Sequence, residues 1–342
     1  MSTIGTRSAD RPNDPPNSAV PGRVAVVGAG SIGAAFSLVY ASAGRRVALF
    51  DPAPQALRSA QDYIARSLGA LSARGLLAAD EASVMANIEL VNDLDAAVAH
   101  AVWIHECVPE KVDLKSRVFA DLDRLAPADA ILASATSAIP ASQFAAGLAG
   151  RERCLVAHPG NPPFLLRILE LVPASFTSPA TAEAAMAFTR SVALDPILVR
   201  REIEGFLFNR LQGALLREAY CLVRDGIASV DDIDRLVRKG LGLRWSVVGP
   251  FETVDLNTRG GIASHAEKLG PAYERMGAER GQHDPWTEDL IADVVAQRRD
   301  LLPLEQWDER VAWRDEAIMR RLAASLEGAG VPAAEACGER SE

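Results

Sequence analysis

A glycine-rich segment near the N-terminus constrains the fold of this chain more than any other feature. Gly28-Ala29-Gly30-Ser31-Ile32-Gly33 follows the apolar run RVAVV and precedes the helical stretch SIGAAFSLVYASAG. A second apolar run, RVALF, ends at Asp51, about 20 residues beyond the glycines. The glycines alone would indicate no more than a turn. The full order of strand, glycine-rich turn, helix, strand and acid predicts a dinucleotide-binding βαβ unit.

Each residue of this segment has its own physical role in such a unit. Gly28 permits a tight turn, Gly30 lets a pyrophosphate approach the backbone, and Gly33 lets the helix pack closely on the sheet. Free amides at the helix N-terminus attract the phosphates. Asp51 can accept hydrogen bonds from both hydroxyls of the adenosine ribose, and it would repel a 2′-phosphate. The sequence therefore predicts NAD rather than NADP as the cofactor.

Strand and helix patterns alternate along the chain to about residue 200. Further apolar runs predict strands at 88–91, 101–108, 130–134, 153–158, 167–172 and 196–199. This alternation predicts an α/β fold with a Rossmann-type, doubly wound, mostly parallel sheet. Beyond about residue 203 only helical patterns remain, among them 205–226 and a segment closed by Gly240. We expect a disordered tail at 1–22, an NAD-binding domain at 23–202, a helical substrate and dimerisation domain at 203–327, and a second disordered tail at 328–342.

Composition narrows the classes of partner. A net charge of −9 and a pI of about 5.2 argue against nucleic acid or an anionic membrane as the main partner. No stretch is apolar and long enough to span a bilayer. The four cysteines are scattered and form neither a metal-binding pattern nor a disulfide framework. We expect a cytoplasmic protein that needs no metal and acts on a small molecule.

His158 and Glu170 form the second constellation. His158 ends one predicted strand, Glu170 lies within the next, and the proline-rich turn PGNPPFLLR separates them. A reversal centred near Phe164 would place the two residues opposite each other. A carboxylate between apolar neighbours needs a partner, and an imidazole beside it could serve as a general base. A structural histidine with a solvated glutamate on an edge strand is the alternative, and spacing alone does not separate the two.

Other polar residues fall where predicted strands end. Glu106 and Glu110 follow one strand, Thr136 and Ser137 follow the next, and Asn209 lies near the start of the long helix. Open α/β sheets bind ligands at the carboxyl ends of their strands, so these residues could ring one cleft between the domains. Each of them could also simply cap the following helix.

The motifs together resemble a known family. The segments that carry the resemblance are VAVVGAGSIG, ECVPEKVDLK, SATSAIPAS, HPGNPPFLLRILELVP, GFLFNRLQGALLREA and GLGLRWSVVGPFETVDLN. In this order they are similar to the 3-hydroxyacyl-CoA dehydrogenase superfamily, and most similar to its lambda-crystallin / L-gulonate 3-dehydrogenase branch. The resemblance covers roughly residues 23–325. It implies a Rossmann domain, then a helical domain that forms most of a homodimer interface.

The resemblance also implies residue roles. Ser31 and Ile32 would contact the pyrophosphate through their backbone. Glu110 and Lys115 would lie near the nicotinamide ribose, with Asn161 supporting a loop beside the nicotinamide.

For the substrate, the resemblance implies that Ser137 and Asn209 hydrogen-bond the reacting oxygen. His158 would be the general base, oriented by Glu170. The C3 hydroxyl of a 3-hydroxy acid would lose its proton to His158 while NAD⁺ accepts the C3 hydrogen as hydride.

Departures from the acyl-CoA enzymes favour a free acid. Position 159 is proline rather than aromatic, Gly160 would leave extra room beside His158, and residues 53–92 contain no lysine. Arg244 occupies a stretch that is small or apolar in those enzymes, and a guanidinium can bind a carboxylate bidentately. We therefore expect Arg244 to clamp the carboxylate of the substrate across the interdomain cleft, although an ordinary surface arginine is the alternative. A 3-hydroxyacyl-CoA or carnitine dehydrogenase, and a non-catalytic NAD-binding structural protein, remain the other interpretations.

Overall fold

The computed structural model describes residues 22–246, 249–257 and 261–281, together with scattered positions between 289 and 323. The predicted tails at 1–22 and 328–342 lie outside the described residues, apart from Gly22. The sequence also has helical patterns near 287–300 and 304–328, and these segments fall largely outside the described residues. In the part of the chain that is described, every helix falls short of the length and apolarity that a bilayer crossing needs.

One sheet contains all eight predicted strands. They are β1 (Arg23–Val27), β2 (Val47–Phe50), β3 (Ile88–Val91), β4 (Ala101–Glu106), β5 (Ile131–Ser134), β6 (Cys154–Pro159), β7 (Ile168–Pro173) and β8 (Asp195–Leu198). Their order is β3-β2-β1-β4-β5-β6-β7-β8, and only the β6–β7 pair is antiparallel. The prediction of a doubly wound, mostly parallel sheet is confirmed.

Six helices connect these strands: α1 (Ser31–Ser42), α2 (Pro54–Ser72), α3 (Glu81–Ala86), α4 (Leu94–Val98), α5 (Val112–Leu125) and α6 (Pro179–Ser191). They cover both faces of the sheet, and the central strands β1, β4, β5 and β6 are accordingly buried on both sides. Phe36 and Trp103 belong to the core on one face, and Phe119 and Leu132 to the core on the other. The sequence pattern at 140–149 also predicts a helix, but the structure has only a short 3₁₀ turn there, at Ala141–Gln143, because Pro140, Gly147 and Gly150 disfavour a longer helix.

The described chain after β8 is helical. Its helices are α7 (Phe208–Arg224), α8 (Val230–Leu236), α9 (Gly242–Trp245), α10 (Pro250–Asn257) and α11 (Gly261–Arg280). The long helix starts at Phe208 rather than at 205, because Gly205 and Phe206 turn the chain with φ of 73° and 50°. Gly240 was wrongly expected to close a helix. It adopts no positive φ, so α8 continues through a π-helical turn at Val237–Leu241 into α9.

Contacts divide the chain into two compact units. Met1–Arg210 and Trp313–Glu342 form the first, which we call the sheet unit, and Leu211–Ala312 form the second, the helical unit. The division therefore falls inside α7, a few residues beyond the boundary at 202/203 expected from the sequence. Within the sheet unit, the late residue Met319 is 5% exposed and belongs to the same core as Phe36.

Candidate active site

The glycine-rich turn after β1 is tightly packed. Gly28 has a φ of 108°, and a Cβ atom there would lie 2.8 Å from the carbonyl oxygen of Cys107. A Cβ atom on Gly33 would lie 1.8 Å from the carbonyl oxygen of Gly28. Side chains at either position would push α1 away from β1 and β4. These two glycines therefore allow the start of α1 to lie directly against the ends of the strands.

The start of α1 has the features of a dinucleotide site. Gly30 precedes the first helical residue, Ser31, and a Cβ atom on Gly30 would meet no atom within 4 Å. The first amides of a helix have no acceptor within it, so they face this open space available to an anion. Asp51 lies beside the same turn, where its Oδ2 accepts a hydrogen bond from the amide of Ala29 at 2.9 Å. Phosphates at the amides and a ribose at Asp51 fit this arrangement.

His158 and Glu170 are paired as predicted. They lie directly opposite each other in the antiparallel register of β6 and β7. Nδ1 of His158 lies 2.7 Å from Oε2 of Glu170, and the residues are only 5% and 3% exposed. An ionised carboxylate has no proton and can only accept a hydrogen bond, so Nδ1 of His158 carries the proton and donates it to Glu170. Nε2 of the neutral ring is then the atom that can accept a proton from a substrate.

Glu170 has a second function that the sequence did not reveal. Its Oε1 accepts hydrogen bonds from the amides of Leu207 at 2.6 Å and Phe208 at 3.0 Å. These amides stand at the beginning of α7, where backbone donors lack partners within the helix. One buried carboxylate thus holds both the imidazole and the first turn of α7, which contains Asn209. The only local signal was Gly205, which permits the turn before the helix.

Ser137 lies on a turn that is held from two sides. Oε1 of Glu110 accepts hydrogen bonds from Thr136 Oγ1 at 2.6 Å and from the amides of Ser137 at 2.9 Å and Ala138 at 3.2 Å. Nδ2 of Asn209 donates to the carbonyl oxygen of Ser137 at 2.7 Å. The structure therefore brings Glu110, Ser137 and Asn209 together, with the Ser137 side chain exposed.

Electrostatics around Glu110 favour its ionised form. Partial burial acts to raise its pKa, but the hydrogen bond from Thr136, the charge of Lys115 and the two amides outweigh burial and hold the pKa below its ordinary value. Glu110 is consequently a charged acceptor at neutral pH, as its hydrogen bonds to three donors require.

Lys115 is buried beneath this turn. It is 1% exposed, and its Nζ lies 3.0 Å from both carboxylate oxygens of Glu106 and 3.4 Å from Glu110. Burial raises the pKa of Glu106, against the opposing effects of Lys115 and a hydrogen bond from Ser134. A contact of Lys115 with the cofactor stays a prediction, since its ammonium group is occupied by two carboxylates here. Its position on the face of α5 that also buries Phe119 was the signal for such a pairing.

The remaining predicted residues are more exposed. Asn161 is exposed in the turn after β6, and Arg244 is exposed on α9 of the helical unit. The expectation of extra room at Gly160 is wrong. A Cβ atom there would lie 2.8 Å from Cγ2 of Ile168 and 3.1 Å from Cβ of Leu166, so the absence of a side chain reflects close packing.

Comparison with known proteins follows the same division of the chain. Residues 23–203 match the NAD-binding domain of 3-hydroxyacyl-CoA dehydrogenase, and residues 205–299 match its C-terminal domain. The chain belongs to the 3-hydroxyacyl-CoA dehydrogenase family. It is accordingly an NAD-dependent oxidoreductase that acts on a CH–OH group, and the prediction of NAD as cofactor is confirmed.

Individual relatives support the predicted branch. The chain is 39% identical over 311 residues to a lambda-crystallin homolog of Bos taurus, covering 89% of this chain and 96% of that one. It is 36% identical over 292 residues to an L-carnitine dehydrogenase of Streptomyces griseus, covering 81% and 86%. Among solved structures, the NAD⁺-dependent 5-formyl-3-hydroxy-2-methylpyridine 4-carboxylic acid 5-dehydrogenase has a TM-score of 0.76 and 26% identity, covering 88% of this chain and 98% of that one.

Proposed function

We propose that this enzyme oxidises the C3 hydroxyl of a small free 3-hydroxy acid of the L-gulonate kind. The observation that carries the proposal is the buried His158–Glu170 pair at 2.7 Å. β1, β4, β5 and β6 are parallel, so His158 near the end of β6 lies on the same edge of the sheet as the glycine-rich turn after β1. A base and a dinucleotide site on one edge suit a dehydrogenase.

The chemistry assigned to the chain is proton removal and charge stabilisation. Nε2 of His158 takes the proton of the C3 hydroxyl, and Glu170 stabilises the imidazolium that results. Ser137 and Asn209 donate hydrogen bonds to the oxygen as it becomes a carbonyl. NAD⁺, when bound, accepts the C3 hydrogen with its electron pair, which completes the two-electron oxidation.

A free carboxylate on the substrate is favoured by three features. The segment 53–92 contains no lysine that could meet the phosphates of CoA. In α2, the guanidinium of the exposed Arg58 donates hydrogen bonds to Oε1 of Gln55 at 2.8 and 3.2 Å, so it is engaged within its own helix. Two of the relatives described above are named for substrates that carry a free carboxylate, carnitine and a pyridine carboxylic acid. Within this proposal, Arg244 binds the carboxylate of the substrate.

L-Carnitine is the second candidate substrate, because a relative at 36% identity is named for it. It is also a 3-hydroxy acid, so the same base and the same arginine would serve. The two candidates differ at C4, where carnitine carries a trimethylammonium group. Oxidation of a 3-hydroxyacyl-CoA, the reaction after which the family is named, is the third.

A direct test follows NADH absorbance at 340 nm with equal concentrations of L-gulonate, L-carnitine, 3-hydroxybutyrate and 3-hydroxybutyryl-CoA. The His158→Asn variant serves as the blank for each substrate. We expect the highest kcat/KM with a free acid that lacks the ammonium group. A higher value with L-carnitine would select the second candidate, and a higher value with the thioester would contradict the free-acid proposal.

We also propose that two copies associate through the helical unit. Its surface exposes large apolar side chains, with Leu211 70%, Phe251 78% and Leu236 63% exposed. Exposed apolar surface on this scale is typical of an interface. A second copy is the occupant that the resemblance to the family implies. Cytoplasmic location stays a prediction from the scattered cysteines.

A further inference from the structure

A buried histidine lies in the sheet unit outside the residues assigned above. His105 of β4 is 0% exposed, and its ring centroid lies 3.9 Å from that of Phe36 on α1. Nδ1 of His105 lies 2.7 Å from the hydroxyl oxygen of Tyr40, also on α1. Nε2 lies 3.2 Å from the carbonyl oxygen of Ala157, the residue that immediately precedes the proposed base. Both ring nitrogens are therefore in use.

The direction of every hydrogen bond in this cluster can be assigned. Burial is the main cause that lowers the pKa of His105 to about 3, and the charge of Lys115 contributes slightly in the same direction. The hydrogen bond to Ala157 raises the pKa, but by less than burial lowers it. The ring is therefore neutral. A carbonyl oxygen only accepts, so Nε2 carries the proton and Nδ1 is an acceptor. Burial raises the pKa of Tyr40, whose hydroxyl stays protonated and donates to Nδ1. Nε1 of Trp103 donates to the same hydroxyl oxygen at 3.0 Å.

The carbonyl of Ala157 needs this donor because the neighbouring strand has ended. The amide of Gly160 donates to Ile168 of β7, and alternation along β6 then directs the Ala157 carbonyl toward β5. β5 ends at Ser134, opposite Val156. Beyond it, the amide of Ala135 faces β4 and donates to the carbonyl oxygen of Glu106 at 2.8 Å. The amide of Thr136, which by alternation would face Ala157, donates to Oγ of Ser134 at 3.3 Å instead. His105 thus takes the place of a missing strand neighbour.

We propose that His105 is a positioning residue for the base: it fixes the Ala157–His158 peptide relative to α1, the helix whose N-terminus forms the dinucleotide site. Through Tyr40 and Ala157 it joins the element that holds the cofactor to the element that holds Nε2. Hydride and proton transfer both depend on that spacing, because small misplacements of reacting groups are costly. The inference rests on the proposed role of His158.

The test compares variants that remove or keep the donor. His105→Phe keeps an aromatic ring but removes both hydrogen bonds, whereas His105→Gln can donate to Ala157 and accept from Tyr40. His100, which is exposed and immediately precedes β4, provides the matched control His100→Gln. We expect His105→Phe to lower kcat about tenfold, with an unchanged dissociation constant for NADH, and His105→Gln to recover most of the loss.

The second readout is the primary deuterium isotope effect on kcat/KM with substrate deuterated at the oxidised carbon. A positioning defect makes hydrogen transfer slower, so we expect the isotope effect to rise in His105→Phe and to return in His105→Gln. Loss of stability alone would lower the yield and the melting temperature but leave kcat per folded enzyme and the isotope effect unchanged. That result would overturn the proposal.

A measurement on the unaltered enzyme covers the case in which His105→Phe does not fold. The chain has five histidines, and ¹⁵N labelling distinguishes their tautomers by NMR. We expect one neutral ring protonated at Nε2 between pH 5 and pH 8, with its signal absent from His105→Gln. If the ring whose signal disappears in His105→Gln is protonated at Nδ1 instead, the proposal is overturned; the ring of His158 is expected to carry its proton at Nδ1 and serves as the reference. Full activity of His158→Asn would instead contradict the assignment of His158 as the base. Failure of the proposed function is therefore detected with the His158 variant, and failure of the His105 proposal with the His105 variants and the NMR spectra.

Discussion

The two units of this enzyme differ in how they bury apolar side chains. The sheet unit has fully buried residues on both faces of its sheet, including Trp103, Phe36 and Phe119. Among the described residues of the helical unit, only Cys221, Val230 and Thr253 are buried. A unit that encloses its own core can hold reacting groups at fixed distances, whereas one that leaves apolar side chains exposed depends on further contacts for its stability.

Charged groups follow the same contrast. In the sheet unit, Lys115 and Glu106 form an ion pair in which both side chains are at most 1% exposed. In the helical unit, Arg280 pairs with Glu218 and Asp225, which are 48% and 35% exposed. Exposed pairs contribute little to stability, while removal of one member of a buried pair is costly. We therefore expect chemistry to depend on the sheet unit, and assembly and substrate binding to depend on the helical unit.

The largest effect should come from His158, the proposed base in the sheet unit. His158→Asn removes the proton acceptor, so we expect kcat to fall by about a thousandfold. NADH affinity, measured by fluorescence titration, should hardly change, because His158 is not assigned to the cofactor. Glu170→Gln should lower kcat less, since the base remains but its orientation weakens. Near-normal turnover of His158→Asn would show that this histidine is not the base and has only a structural role.

The second effect concerns assembly of the helical unit. Leu211→Glu places a charge on a 70% exposed leucine of α7, and symmetry would place two such charges in a dimer interface. We expect the dimer dissociation constant, measured by analytical ultracentrifugation, to rise at least about a hundredfold. Gln212→Glu adds the same charge at a neighbouring exposed polar position and serves as the control. A monomeric unaltered enzyme, or equal effects of both variants, would contradict the proposed interface.

Arg244 tests whether the helical unit also binds substrate. A charged hydrogen bond contributes about 1.5–3 kcal/mol, so Arg244→Met should raise KM for a free acid about 10- to 100-fold. NADH affinity should stay the same, and kcat should change little. Arg238→Met, on the adjoining helical turn, is the matched control because it removes an equal charge. An unchanged KM in Arg244→Met would show that Arg244 is an ordinary surface arginine that does not bind the substrate.

Asp51 tests cofactor choice within the sheet unit. Its carboxylate lies at the glycine-rich turn, where it would repel a 2′-phosphate. Asp51→Ser should lower kcat/KM with NAD⁺ about tenfold and raise it with NADP⁺, because a hydroxyl can still accept from the amide of Ala29 without the charge. The exposed Asp62→Ser on α2 controls for the loss of one negative charge. Equal use of NAD⁺ and NADP⁺ by the unaltered enzyme would contradict this assignment.

Sequence patterns predicted the sheet well because each strand is a local apolar run between turn residues. They also predicted the His158–Glu170 pair, since a hairpin centred on one turn fixes the register of both strands. Contacts between elements distant in the chain were not predicted. Glu170 binds the amide of Leu207, 37 residues away, and His105 binds the carbonyl of Ala157, 52 residues away. No local pattern encodes such contacts, because they depend on how helices and strands pack.

The smallest predicted effect is the pH dependence of stability contributed by His105. Its pKa is about 3 in the folded protein and about 6.5 in the unfolded chain, so below pH 6.5 the unfolded chain binds one more proton. Stability from this group is thus complete above pH 6.5 and decreases as the pH falls toward 3, by at most about 1.4 kcal/mol per pH unit. His105→Gln lacks this dependence.

Urea unfolding at pH 7.5, 6.5 and 5.5 measures this contribution. The difference in unfolding free energy between the unaltered enzyme and His105→Gln should become smaller as the pH falls. Parallel curves for the two proteins would mean that His105 has the same pKa in the folded and unfolded states, which would contradict a buried ring that stays neutral between pH 5 and pH 8.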